Sequence, residues 1–448
     1  MSDDRGMPSP AAPHHSPNVW LAAGAAFLLT VLVIGGLFPN LWYGMHDITD
    51  LPVYWGYASR IAAGEAPYTP SFEVEYPPLA VALFRLPGHT ESERLYGIWF
   101  NVVMAAITAA TGAVTAFVAC RSWPRGGRAY VAAVLFPVGV ALIGTIVINR
   151  YDVAVALLVA VFILCLAERR YAAAAFVVGM GFALKITPLA LLPLVLLLVG
   201  PPRRWSWPLV AFGAAAAAPF LPYVFRSWPG VWHTFQYHLE RPLQIESVLG
   251  TPQLLGQLLG AGWASWTWSH GSHSLVAPGA GLAADVSGGL TLLAVAAVYL
   301  LAWLRREHLR RAPADQAIVV LALLLALMTF GKVLSPQYFI WILPAWALVA
   351  CRDAWVGALG GLTLALTQAE FPAQYWNLLE MQPAPLAVVV ARNTLLLVTF
   401  AVTLWRVWRL PAGPVAAARP RTGGSTPGGG TGPVVVRAPP RGPGSACA

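Results

Sequence analysis

Charge is scarce in this sequence. Only 10% of its residues are Asp, Glu, Lys or Arg, less than half of the quarter or so with which a soluble domain covers its surface. An ordinary water-soluble fold is excluded on that ground. Cysteine is rare as well. Cys120, Cys165, Cys351 and Cys447 have no metal-ligand spacing, and on the topology argued below none lies in an outer loop, so no disulfide framework is expected. Lysine is scarcer still, with Lys185 and Lys332 standing against 26 arginines. Sustained apolar–polar alternation is missing, which excludes a transmembrane β-barrel. No Gly-rich phosphate loop occurs on the side that carries the basic loops, so nucleotide chemistry there is not supported.

What is abundant is apolar sequence. The hydrophobic fraction is 58% and the mean hydropathy +0.64. Many runs approach the ~20 residues that a helix needs to cross a ~30 Å hydrocarbon core. These features predict an all-α polytopic membrane protein. Spans are expected near 19–38, 94–119, 130–148, 152–167, 171–184, 188–200, 206–225, 285–304, 316–332, 336–351, 354–371 and 385–405, about twelve of them by span length. The first is too long for a signal h-region and lacks a small-residue cleavage site. The short pair at 171–184 and 188–200 reads as a hairpin bent at Lys185-Ile186-Thr187-Pro188, where proline removes a helix donor.

Orientation follows the basic residues. If spans alternate, RSWPRGGR (121–128), ERR (168–170), PPRR (201–204) and RREHLRR (305–311) fall on one side, the cytoplasmic one by the positive-inside rule. Both termini are then cytoplasmic, in a multi-pass protein of the cell membrane. The net charge of +9 is spread over these short loops, so no nucleic-acid partner is expected. Loops 39–93 and 226–284 face outward. Residues 1–18 and the Pro/Gly/Arg-rich 411–448 cannot bury enough apolar surface to fold and are expected to be disordered, leaving 19–410 as one transmembrane domain.

The polar clusters concentrate on the outer side. In HDITDLPVYWGYASRIAAGEAPYTPSFEVEYPPLA (46–80), Thr49 or Asp50 reads as the N-cap of a surface helix with Val53, Tyr54, Tyr57 and Ile61 on one face, and Gly64 as its stop. Asp50 is either a cap alone or also a general base, since a carboxylate at a helix N-terminus is held in the ionised form a base requires. Asp47 competes with it. Glu75 and Tyr76 stand in the following EYPP turn. NRYD (149–152) places Asn149, Arg150 and Asp152 at a tight connection, either as a local Arg150–Asp152 pair or as part of a site. Lys185 and Lys332 either snorkel toward headgroups or hold phosphate. HTFQYHLERPLQIES (233–247) gathers His238, Arg241, Gln244 and Glu246, and SPQYFIWILP (335–344) opens a span with Gln337 and Tyr338. A base, cations and polar groups facing one compartment suit a reaction on substrates delivered from the membrane.

Taken in order, DLPVY…EYPPLA, NRYD, GFALKITPLALLP, ERPLQIES and LSPQYFIWILP resemble the GT-C integral membrane glycosyltransferases, family 87 in particular. The resemblance covers roughly residues 20 to 405. Members are similar to polyprenyl-phosphate-mannose-dependent α-mannosyltransferases of actinobacteria. The resemblance implies a GT-C-like bundle with surface helices in the first outer loop. It also implies transfer from a sugar-bearing polyprenyl phosphate, with inversion, to a lipid or glycan acceptor at the extracytoplasmic face. The base of the first outer loop falls on Asp50, with Asp47 the alternative. Lys185, Lys332 and Arg241 would hold the donor phosphate. Tyr54, Glu75 and Tyr76 would shape the acceptor side, joined as substrate-binding candidates by Asn149, Arg150, Asp152, His238, Gln244, Glu246, Gln337 and Tyr338. No metal or other cofactor is assigned, because no acidic metal pair is clear; the lipid-phosphate sugar is a co-substrate. The rival class is a transporter or flippase of a lipid-linked sugar, which would need cations and a lateral opening but no outer-loop carboxylate.

Overall fold

The computed structural model describes residues 18–43, 48–88, 90–123 and 127–412. Asp47, Cys447 and nearly all of both expected tails lie outside the described residues. Each expected span coincides with helix, but the helices are unequal. Among the described residues, five are long and apolar enough to cross a membrane: Val19–Asn40, Glu93–Ser122, Ala280–Leu304, Pro313–Phe330 and Pro383–Arg409. Six apolar helices are shorter: Arg128–Ile143, Asp152–Ala167, Tyr171–Leu184, Thr187–Val199, Ser206–Ala217 and Pro336–Ala350. Ala354–Glu370 completes the set. Twelve full crossings are therefore more than the long helices supply. The short ones end at identifiable breakers. Gly144 and Gly200 take φ of 78° and 104°, which only glycine adopts without strain. Pro188 follows the end of Tyr171–Leu184 by a few residues.

Burial separates the centre of the bundle from its rim. Gln316–Phe330 and Phe339–Ala350 are enclosed almost throughout. Around them the helices turn large apolar side chains outward, among them Trp20, Trp207, Leu292 and Leu293. An apolar rim of this extent is stable only against lipid, and the chain is a multi-pass membrane protein.

Loop 39–93 carries the expected surface helix, Leu51–Ala62, which ends before Gly64 at a φ of 91°. Tyr54 is buried on its inner face, but Val53, expected on the same face, is exposed. A second helix, Pro78–Phe84, starts at the paired prolines, where a missing N–H costs nothing. Tyr68 Oη donates to the Tyr76 carbonyl at 2.7 Å and Tyr96 Oη to the Phe84 carbonyl at 2.8 Å, fixing both ends of this segment.

Loop 226–284 packs onto it. Helix Trp228–Glu240 is capped by Ser227, whose Oγ accepts from Gly230 N at 3.2 Å. A β-carbon at Gly230 would fall 1.8 Å from the Tyr68 carbonyl oxygen, so the absence of a side chain lets the two loops touch backbone to side. Thr234 Oγ1 then donates to the Val74 carbonyl at 2.8 Å. Beyond the helix the all-α expectation needs a correction. Ser265–Ser269 and Ser272–Val276 form an antiparallel hairpin whose turn residues, His270 and Gly271, both have positive φ. That is the geometry of a two-residue turn matched to strand twist. Leu243 and Ile245 extend the pairing: Leu275 N donates to the Leu243 carbonyl at 2.8 Å and Ile245 N to the His273 carbonyl at 3.1 Å.

Candidate active site

At one end of the bundle, two carboxylates and two cations interlock. Asp50 occupies the N-cap position of Leu51–Ala62, but its side chain caps nothing. Thr49 Oγ1 accepts from Leu51 N at 3.2 Å instead. The Asp50 carboxylate is turned to Arg150, with Oδ1 2.6 Å from Nη1, and Oδ2 accepts from Tyr54 Oη at 3.3 Å. Arg150 is buried and Asp50 is one-third exposed, at 32% of its side chain. Arg150 comes from the end of the four-residue helix Ile146–Asn149.

Asp152, two residues on, faces elsewhere. It begins helix Asp152–Ala167 and is fully buried. Its Oδ1 accepts from Lys185 Nζ and from Trp341 Nε1, each at 2.6 Å. The local Arg150–Asp152 pair left open by the sequence is therefore not the arrangement formed. Each of these two residues takes a partner remote in sequence. Lys185 leaves the helical conformation at the end of Tyr171–Leu184. Its ammonium lies 4.9 Å from the Tyr151 ring, 4.8 Å from Tyr338 and 4.9 Å from Trp341. Three ring faces around one cation, with a carboxylate beneath, hold it by cation–π attraction and charge. An ammonium has three donors, and Asp152 accepts from one.

Aromatic packing ties Asp50 to the rest. Tyr54 stacks on Phe84 at 4.2 Å and meets Tyr76 and Tyr151 edge-on, both at 5.9 Å. Tyr57 donates its hydroxyl to Glu75. Burial pushes the Glu75 carboxyl above its usual range, with the Tyr57 hydrogen bond pulling the other way.

The second loop contributes a histidine and a cation. His238 is half-buried, and burial, followed by the charges of Arg241 and Lys185, depresses it to about 4. It is therefore a neutral imidazole at physiological pH. Arg241 stands just past the helix end, so it does not share a helical face with His238; its Nη2 donates to Ser272 Oγ at 2.8 Å. Lys332 Nζ donates to the Leu239 carbonyl at 2.5 Å, where a cation also complements the helix C-terminus. The Gln337 side-chain carbonyl accepts from Ser335 Oγ at 2.6 Å, and Tyr338 stacks on Trp341 at 4.2 Å. Asn149 is buried beside Arg150.

Gln244 and Glu246, named as substrate-binding candidates, lie in the interior of the fold. Both are buried, and Gln244 Nε2 donates to Glu246 Oε2 at 2.8 Å. Beneath them Arg392 Nη2 donates to the Glu246 carbonyl at 3.0 Å, and Asn393 Nδ2 to the Ser247 carbonyl at 3.2 Å. Ser247 Oγ donates to the Gly331 carbonyl at 3.1 Å and Gln244 N to the Lys332 carbonyl at 2.9 Å. This network braces the loop that carries Arg241 against the turn that carries Lys332. The sequence reading missed Arg392 and Glu370 here, both fully buried. Their signal was available, since an ionisable residue inside an apolar helix marks a buried polar role. Tyr151 and Tyr57 were missed as partners for want of any such signal. Among the described residues, no group of three or more His, Cys, Asp or Glu stands close enough to hold a metal ion.

An open apolar cleft of 300 Å³ adjoins this site. Leu79, Leu83 and Leu86 line one wall, and Ala154, Leu158 and Leu184 the other. Leu184 directly precedes Lys185, and Ala154 lies two residues beyond Asp152, so the cleft is lined by the two helices whose ends carry the ion pair.

Among solved structures, the chain is similar to ArnT from Cupriavidus metallidurans bound to undecaprenyl phosphate, with a TM-score of 0.46 and 15% identity over 86% of this chain and 76% of that one. The apo state of the same protein gives a TM-score of 0.45 at 14% identity, over 86% and 77%. No curated protein matches the sequence. The model of Glycosyltransferase family 87 matches residues 75–336, a range that includes Glu75, Arg150, Asp152, Lys185, His238, Arg241 and Lys332 and begins after Asp50. With more than half of its length matched, the chain belongs to glycosyltransferase family 87.

Proposed function

We propose that this protein transfers a sugar, mannose in the first place, from a polyprenyl-phosphate donor to a lipid or glycan acceptor. The observation that carries the reading is the juxtaposition of two held charges with an apolar cleft. Asp50 is positioned by Arg150, Lys185 is positioned by Asp152 and three rings, and the cleft opens between helices beside them. A ligand with an apolar tail and a phosphate head fits that arrangement. The tail lies along Leu79–Leu86, and the phosphate takes the two remaining Lys185 donors.

In the mechanism, an acceptor hydroxyl oxygen attacks the anomeric carbon as Asp50 takes its proton. The carbon–oxygen bond to phosphate breaks on the opposite face, so the configuration inverts. Polyprenyl phosphate leaves as an anion, and Lys185, with Lys332 and Arg241 nearby, stabilises the charge developing on the departing oxygen. Tyr54, Tyr76 and Glu75 border the acceptor side. The architecture is GT-C-like, and the site faces the extracytoplasmic compartment with both termini cytoplasmic, as the distribution of arginine supports. Membership of a glycosyltransferase family favours this reading over a flippase, which has no use for a base.

The test is a transfer assay with purified protein in liposomes, offering polyprenyl-phosphate mannose, another polyprenyl-phosphate sugar and a nucleotide sugar, each with a panel of lipid and glycan acceptors. Transfer from a polyprenyl-phosphate donor alone is the expected result. Transfer from the nucleotide sugar overturns the donor class.

A further inference from the structure

The opposite end of the bundle carries a second concavity, of 570 Å³, that the transfer reaction does not use. Five arginines converge on it from four stretches of chain: Arg121, Arg128, Arg169, Arg311 and Arg352. Two carboxylates share the lining, and both are already engaged. Glu168 pairs with Arg121 at 3.2 Å. Asp315 pairs with Arg352 and lies 2.6 Å from His308 Nε2. Arg169 donates to the Arg310 carbonyl at 3.2 Å. No carboxylate among the described residues pairs with Arg128, Arg169 or Arg311.

Positive charges in cytoplasmic loops need no ligand when they are dispersed, because orientation alone selects for them. Here they are concentrated. Five guanidinium groups around one hollow, with two carboxylates to offset them, leave a surplus of three. Like charges gathered around a concavity repel one another and raise the local potential for an anion. The guanidinium fork matches phosphate oxygens in pairs. Trp123 also lines the hollow, with the Arg352 guanidinium 5.6 Å from its ring. An aromatic ring at the end of an apolar helix belongs to the headgroup level of a bilayer.

We infer that this arginine basin binds an anion bearing two or more phosphate charges. That chemistry is carried both by the headgroup of an anionic lipid with two phosphates and by a soluble diphosphate, and the experiment separates the sources. The full chain is placed in phosphatidylcholine nanodiscs. One arm titrates inorganic pyrophosphate by calorimetry. The other measures retention of diphosphatidylglycerol by native mass spectrometry. Binding in the second arm alone identifies a lipid headgroup, and binding in the first alone a soluble anion.

Each positive arm is repeated with Arg128→Gln/Arg311→Gln and with Arg203→Gln/Arg204→Gln, which removes two charges outside the basin. The basin pair should weaken binding by at least about tenfold, since each charge-assisted contact carries about that much. The outside pair should stay within about twofold, as screened distant charges do. The basin variant breaks no ion pair among the described residues, so its unliganded melting temperature should be unchanged or higher. If it aggregates, Arg311→Gln alone is read in the same way. No binding in either arm, or equal losses from the two pairs, overturns the inference.

Discussion

Asp50→Asn should cut sugar transfer at least about a hundredfold while donor binding is retained. Loss of a general base costs about 10² to 10⁴ in rate, so a fall of at least about a hundredfold in kcat is expected. Asparagine keeps the size of the side chain but cannot take the acceptor proton. The geometry adds a stability term that a capping role alone would not. Asp50 is the partner of a buried guanidinium at 2.6 Å, and breaking a buried pair costs about 3–5 kcal/mol. Asp50 is one-third exposed, so solvent screening reduces that cost. A lower melting temperature should therefore accompany the variant. Helix capping should be untouched, because Thr49 provides it. Arg150→Gln separates the two effects: it removes the same ion pair yet keeps the carboxylate. It should also lower the melting temperature, and retain more transfer than Asp50→Asn. Asp47→Asn is expected to be milder. Full activity in Asp50→Asn removes this residue from the mechanism, and a dead Asp47→Asn reassigns the base.

Lys185→Ala should rank second. It removes the ammonium proposed to meet the donor phosphate, and it leaves the buried Asp152 carboxylate with Trp341 Nε1 as its remaining partner. Charge-assisted contacts are worth about 1.5–3 kcal/mol, which corresponds to a rise of about ten- to a hundredfold in donor KM. A stability loss is expected too, of the order of a broken buried pair, about 3–5 kcal/mol. Lys185→Arg retains the positive charge, and should recover most of the stability and part of the donor affinity, because the planar fork is larger and its hydration differs. The discriminating measurement is donor KM against acceptor KM at a temperature where each variant is folded. A rise confined to the donor supports the phosphate role. Equal rises, or none, leave Lys185 as a structural counter-ion to Asp152.

How much of this was legible in the sequence varies by type of feature. Membrane class and helix positions follow from composition and run length, because lipid leaves the backbone few alternatives to helix. The surface helix after the first span was readable from its stop at Gly64, and the bend at Lys185 from the proline that follows. Pairing was not readable. Arg150 and Asp152 are near neighbours in sequence, and only the folded chain reveals that one turns to Asp50 and the other to Lys185. Local spacing carries no information about partners brought in by other helices. The hairpin was missed because SWTWS and SHSLV are short, and two-stranded pairs are marginal by themselves; its stability here depends on added pairing with Leu243 and Ile245. The placement of Gln244 and Glu246 was not readable for a related reason. Polar residues in a loop read as exposed until Arg392 and Asn393, from a helix far along the chain, are seen beneath them.

The central claim is that a lipid phosphate enters at the Asp50–Lys185 end through the cleft along Leu79–Leu86. The most direct measurement is photo-cross-linking with a polyprenyl phosphate that carries a diazirine near its head, on purified protein in liposomes, followed by peptide mapping. The account predicts labels on peptides containing Leu79–Leu86 and Met180–Leu184, with protection by excess unlabelled donor and loss of that protection in Lys185→Ala. Labels concentrated instead on the groove lined by Leu196, Trp205 and Trp303 at the arginine-rich end, equally protected by donor, would contradict it.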